Sequence, residues 1–163
     1  MEREKTKHIA KSAMIAAIYA ALTLIFAPLS FGPVQMRPAE ALTLLPILTA
    51  DAIPGLFIGC FLVNLITGSI WFDVVFGSIA TLLAAILSYK LRKNRYAAAA
   101  MPATFNGPIV GAVVYFAYVR APGAQINKLV LLSTVFSVAA GELVICYTLG
   151  LLLVKVVEKR NLL

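Results

Sequence analysis

Residues 31–46 read FGPVQMRPAEALTLLP, and this interruption decides how the rest of the chain is understood. On both sides the sequence is almost unbroken hydrocarbon, yet here it presents Gln35, Arg37 and Glu40. A charge beside an apolar span costs a few kcal/mol or more on insertion, so such residues face a cavity, a partner or the membrane surface. The segment is therefore read as the lid and wall of a binding site, with residues 28–38 as an outer lid.

Working outward, 61% of the 163 residues are hydrophobic and 13% are charged, which excludes an ordinary soluble domain and a disordered chain. The expectation is an all-α integral membrane protein, one transmembrane domain over residues 1–163. A span needs about 20 residues, so the length accommodates roughly six short-looped helices and no soluble catalytic domain. Apolar runs bounded by Pro, Gly and charge place these at about Ile9 to Ala27, Ala39 to Ala50, Ile53 to Gly68, Phe72 to Leu91, Ala97 to Val119 and Lys128 to Val157. The first run is too long for a signal-peptide core and is taken as a span. The second is too short to cross about 30 Å of hydrocarbon unaided and must begin within the protein.

Charge gives the orientation. Arg3, Lys5, Lys7 and Lys11 precede the first span, Lys90, Arg92, Lys93 and Arg95 follow the fourth, and Lys155, Lys159 and Arg160 close the last. A six-helix path puts all of these on one side and leaves Arg37, Arg120 and Lys128 for the other. Both termini are thus expected in the cytoplasm, and the net charge of +7 reflects the positive-inside rule rather than nucleic-acid binding.

Several residues stand out along the spans. Ala13, Ala17 and Ala21 form a smooth stripe at i, i+4, i+8, which is either a plain alanine-rich face or a surface for close helix approach. Gly55/Gly59 and Gly107/Gly111 are GxxxG pairs expected to seat helices within the bundle. Asn64 can bond between helices or contact ligand. Trp71 suits the interfacial aromatic belt, and Asp73 can complement a helix N-terminus or contact ligand. Pro108 should kink the fifth span by opposing the Thr104 carbonyl, beside Asn106, a candidate site residue. Glu142 is the most deeply embedded charge and a candidate ligand group, its alternatives being a pair with Arg37 or a protonated structural acid. Cys60 and Cys146 read as packing residues. His8, in the basic tail, reads as solvated or touching headgroups, and no metal or cofactor set is expected.

The stretches SFGPVQMRPAEALTLLP, AIPGLFIGCFLVNL, WFDVVFGSIATLLAA and ATFNGPIVGAVV together resemble the QueT family of queuosine-precursor transporters, substrate-binding S components of energy-coupling factor (ECF) transporters. Pro38 departs from the pattern, where an ordinary apolar residue is usual. The resemblance implies a six-helix S-component bundle that captures a small molecule at its outer face. It implies docking through Ala13, Ala17 and Ala21 to a transmembrane coupling protein, with two partner ATPase subunits supplying energy. The chain itself has no G-x-x-x-x-G-K-[ST] loop, in keeping with a dependent, non-enzymatic role.

A deazaguanine suits such a site. Its pyrimidine edge offers adjacent N–H donors that match one carboxylate, and an aminomethyl group adds a cation. Glu142 is favoured for the donor edge, Glu40 or Asp73 for the amine, Gln35 and Arg37 for closure. Asn106, Asn64 and Gln35 can serve the ring acceptors, and Phe31, Phe105 or Tyr115 can cover the flat face. Competing readings are an S component for another vitamin or nucleobase-like compound, and a stand-alone carrier in which Glu142 shuttles a proton, although no internal repeat is evident. An intramembrane enzyme would need an H-E-x-x-H or G-x-S-x-G sequence, and neither occurs.

Overall fold

The computed structural model describes residues 2–30 and 36–162, with the side chain of Leu29 also left aside. These residues are helical throughout, with no strand among them. Helix α1 is Glu2–Ile25, followed by a single turn at Ala27–Ser30. The next, α2, is Pro38–Ile47 and is wound as a 3₁₀ helix. Then come α3 (Ala52–Ile66), α4 (Asp73–Lys90), α5 (Arg95–Val119) and α6 (Lys128–Arg160). Among the described residues α1, α4, α5 and α6 are long and apolar enough to cross a membrane, whereas α2 and α3 are shorter.

Local chemistry sets the boundaries. Pro38 sits at the first position of α2, where its missing N–H costs nothing, and it holds Arg37 before it in an extended conformation, φ −98° and ψ 101°. Asn94 caps α5 by accepting from the Ala97 N–H at 3.1 Å, and Asn127 caps α6 by accepting from the Leu129 N–H at 3.1 Å. Asn161 ends α6 in the left-handed region at φ 49°.

The short α2 reaches further than its length implies. A 3₁₀ helix rises about 2.0 Å per residue against about 1.5 Å for an α-helix, so ten residues extend roughly 20 Å instead of 15. Residues Ala39 to Ile47 are all buried, so this helix presents no side to lipid. It runs through the middle of the bundle.

Glycines let its neighbours close in. A Cβ on Gly59 would lie 2.8 Å from the Ala16 carbonyl oxygen, and one on Gly55 2.6 Å from that of Ser12, so the first GxxxG pair seats α3 on α1. The second seats α5 on α6, since a Cβ on Gly111 would lie 2.6 Å from the Val135 Cα. Gly150 receives the Leu44 side chain of α2. It lies in a wide π turn, Cys146–Gly150, one of three such turns with Asp73–Gly77 and Tyr115–Val119.

Helix α5 stays helical through both Pro102 and Pro108. Proline denies a hydrogen bond to the carbonyl four residues back. For Pro102 that carbonyl belongs to Ala98, and the Ser88 hydroxyl of α4 donates to it at 3.0 Å. In lipid such groups must be satisfied from within the protein.

The ends of the bundle differ. At one, Val157 shares an apolar cluster with Ile15, Ala52 and Ala85, Arg95 bonds Glu158 at 2.8 Å, and His8 Nδ1 lies 2.9 Å from Asp51. His8 is exposed and also pairs with the turn before α3, because α1 extends back to Glu2 and carries it alongside that turn. Eleven of the fourteen Lys and Arg residues fall on segments that meet here. Arg37, Arg120 and Lys128 belong to segments of the opposite end.

Burial is inverted relative to a water-soluble protein. Arg37, Glu40, Asp73 and Glu142 are buried, while Ile25, Ile66, Trp71, Leu132 and Phe136 are well exposed. An apolar exterior around buried charge is stable where the surroundings are lipid.

Candidate functional site

The polar centre is assembled from all six helices. Its first part lies around Glu40, which the 3₁₀ winding of α2 presents in the first turn, where a carboxylate complements the helix N-terminus. Tyr19 of α1 donates its hydroxyl to Glu40 Oε1. The Glu40 carbonyl accepts from the Thr43 hydroxyl, and the Cys146 thiol of α6 approaches it at 3.7 Å. On the facing helices, Asn106 Nδ2 of α5 donates to Glu142 Oε1 of α6 at 3.0 Å. Glu142 stands one turn before Cys146, so α6 carries it to the region where the Cys146 thiol meets the Glu40 carbonyl. Two carboxylates are thus buried in one polar centre with the Asn106 amide.

The second part anchors the end of the bundle opposite the basic cluster. Arg37 donates from its guanidinium to Asp73 Oδ2 at 3.0 Å and through Nε to the Ser30 carbonyl at 3.2 Å. Asn64 of α3 donates Nδ2 to the Asp73 carbonyl at 3.3 Å and contacts the Cys60 sulfur at 3.6 Å. The wide π turn that begins at Asp73 aims this carboxylate inward, so a Cβ on Gly77 would lie only 2.8 Å from Asp73 Oδ1. Arg37 and Glu40 are three residues apart and link the two parts.

Burial is nearly complete. Glu40, Asp73 and Asn64 are at most 1% exposed, Asn106 is 2% exposed and Glu142 6%. Among the described residues, Glu40 Oε2, Asn106 Oδ1, Glu142 Oε2, Asp73 Oδ1 and Asn64 Oδ1 are buried with no hydrogen-bond partner, as is the Ser30 hydroxyl. A buried acceptor without a donor costs about 1–3 kcal/mol, and more when charged. Native proteins keep few of them. Five such acceptors are collected in this one core.

The residues nominated from the sequence divide clearly. Glu40, Asn106 and Glu142 come together, and Arg37, Asp73 and Asn64 join them at the end opposite the basic cluster. Arg37 forms an ion pair with Asp73. Phe31 and Gln35 lie outside the described residues. Phe105 packs against the apolar cluster of Ala80, Val110, Val114 and Val138, and the Tyr115 hydroxyl accepts from the Asn127 N–H at 2.8 Å. These two rings hold helices and a loop. Ala13, Ala17 and Ala21 are exposed on α1, on the side opposite Ile15 and Tyr19.

Sequence reasoning missed Tyr19. A tyrosine in a membrane helix reads as an interfacial residue, but Tyr19 stands four residues from both buried Ile15 and buried Thr23, and that spacing marks the inward face. An apolar groove of about 670 Å³ between α4 and α5, lined by Phe72, Phe76, Val113 and Phe116, shares none of the polar residues. No three of His, Cys, Asp and Glu among the described residues are grouped as a metal site.

Long apolar helices around a buried polar core are the pattern of a multi-pass membrane protein. Comparison with known proteins agrees. Residues 9–159 match the family described as QueT transporter, and the chain belongs to that family. It is also 30% identical over 123 residues, 72% of this chain and 68% of the relative, to the queuosine precursor transporter QueT of Lactococcus lactis subsp. cremoris (strain MG1363). No solved structure matches it.

Proposed function

We propose that this chain is the substrate-binding S component of an ECF-type importer and captures a queuosine precursor, a 7-deazaguanine, at the outer face of the cell membrane. The single observation that carries the ligand class is the set of unpartnered acceptor oxygens on Glu40, Asn106 and Glu142. A guanine-like edge presents adjacent N–H donors that one carboxylate accepts as a pair. Glu142 is assigned that edge, Glu40 an amine substituent, and Asn106 orients both. Asp73, Arg37 and Asn64 hold the outer end of the site. The curated relative, a queuosine precursor transporter, supports the same ligand class.

All six helices cross the membrane in this proposal. The four long ones do so against lipid, while α3 and the buried α2 are completed by their neighbours. The basic end faces the cytoplasm and carries both termini, in line with the positive-inside rule. The exposed Ala13, Ala17 and Ala21 stripe then docks a transmembrane coupling protein driven by two ATPase subunits, since small side chains let helix backbones approach.

Equilibrium binding of the purified, detergent-solubilised protein to queuine, the aminomethyl and cyano deazaguanines, guanine and riboflavin tests the ligand. A deazaguanine is expected to bind, and Glu142→Gln to weaken it by at least about tenfold, the worth of a hydrogen bond to a charged group. Undiminished binding by a folded Glu142→Gln protein would remove the central role of that residue. Ala17→Trp is expected to abolish co-purification with the coupling subunit while ligand binding persists. Retained co-purification would place the docking surface elsewhere.

The burial of Glu40 and Glu142 in one polar centre also favours a second reading, a stand-alone proton-coupled carrier. Uptake that follows the proton gradient in cells lacking the ATPase subunits would establish it in place of the first.

A further inference from the structure

The buried charges of the polar core do not balance. Glu40, Asp73 and Glu142 supply three carboxyl groups, and Arg37 is the one buried cation among the described residues. The remaining segment of the lid, residues 31–35, reads FGPVQ and adds no titratable side chain. No helix packed on the acid pair adds a second buried cation among the described residues. Tyr19 of α1, Cys60 of α3 and Cys146 of α6 face it but carry no positive charge in any protonation state, α4 contributes Asp73, and α5 contributes the neutral Asn106. Arg37 is already bonded to Asp73 at 3.0 Å.

Two ionised carboxylates cannot remain together in such a core without a cation, because burial of an uncompensated charge is prohibitive and adjacent like charges oppose ionisation. Neutrality can be reached by holding protons or by admitting a cation. Geometry permits exchange between the two, because each carboxylate keeps one unpartnered oxygen and Asn106 Oδ1, 2% exposed, is unpartnered beside them.

Resting on the substrate-capture reading above, we infer that the Glu40–Glu142 pair is a proton-for-ammonium exchanger that selects ligands bearing a protonated amine over neutral ligands of the same ring. In the empty protein the pair holds protons. When an ammonium-bearing ligand enters, a carboxyl O–H bond breaks, the proton leaves to solvent, and the carboxylate so formed accepts the ligand N–H. No electrons are transferred. Glu142 meets the ring edge in the same way for both ligands, and a neutral ligand, bringing no ammonium, leaves the Glu40 proton in place.

Isothermal titration calorimetry tests this on the intact, detergent-solubilised protein. It uses the aminomethyl and cyano deazaguanines in two buffers of different ionisation enthalpy, over a range of pH. The expected result is release of about one proton more per aminomethyl ligand than per cyano ligand, with the affinity ratio of the two rising up to about tenfold per pH unit as linkage of one further proton requires. At the upper end of the range the aminomethyl ligand should be at least about tenfold the tighter. Equal proton release and an affinity ratio independent of pH would overturn the exchanger while leaving deazaguanine capture standing. Binding of neither ligand would overturn deazaguanine capture itself and the exchanger with it. Replacing both acids, as Glu40→Gln with Glu142→Gln, keeps the side-chain volumes and should remove the pH dependence of any residual binding. A persistent slope would place the exchanging group elsewhere.

Discussion

Arg37 and Asp73 are 5% and 1% exposed at the side chain, so their ion pair at 3.0 Å works where water does not screen it. Breaking such a pair from one side strands a charge and costs about 3–5 kcal/mol. Asp73→Asn should therefore lower the thermal midpoint of the detergent-purified protein markedly, while Arg95→Ala, whose partner Glu158 is half-exposed, should change it little. Similar midpoints for both variants would show that the outer pair is not a structural anchor. The polar residues of this core were legible in the sequence because Arg37, Glu40, Asn64, Asp73, Asn106 and Glu142 each break an apolar run, and the membrane makes every such break costly. Their pairing was not legible. Spacing along the chain cannot say that Arg37 meets Asp73, nor that Tyr19 turns inward to Glu40. Phe105 and Tyr115 fit the flat face of a ring by type alone, and the structure gives them to packing and to the Asn127 amide.

At the scale of helices, the two GxxxG pairs work as seats with different partners. A Cβ added at Gly111 meets backbone, the Val135 Cα at 2.6 Å, and backbone cannot swing aside as a flexible side chain would. Overpacking of this kind costs about 1–3 kcal/mol. Gly111→Ala is expected to destabilise the protein by that amount in thermal or denaturant unfolding, whereas Ala112→Gly, at a half-buried position one residue on, should cost no more than the helix propensity of about 1 kcal/mol. An unchanged midpoint in Gly111→Ala would mean that α5 and α6 can separate freely. Small-residue spacing announced that these faces are smooth, but a smooth face does not name its neighbour. The 3₁₀ winding of α2 was equally hidden. Its brevity showed only that it could not cross lipid by itself, and the resolution came from burial on all sides and from a stretched rise.

For the whole molecule, the proposed orientation can be read by surface chemistry. Cys60 and Cys146 are buried and free, so an impermeant maleimide should report on introduced cysteines alone. In intact cells, a cysteine at exposed Gly123, in the turn between α5 and α6, is expected to label, and one at exposed Lys93, between α4 and α5, only after the membrane is opened. The reverse pattern would invert the protein and place the acid core's outer end toward the cytoplasm. The general plan was legible from hydropathy and from the grouping of eleven cations, because both follow from the cost of moving charge through hydrocarbon.

The burial of α2 has a consequence for how the protein is made. Its seat includes the pocket at Gly150 for Leu44 and the Cys146 sulfur beside the Glu40 carbonyl, both supplied by α6. A segment near the beginning of the chain therefore finds its last neighbours only when the final helix leaves the ribosome and enters the bilayer. Until then Glu40 lacks its facing wall, and the half-made protein has to shelter an acid that lipid would reject.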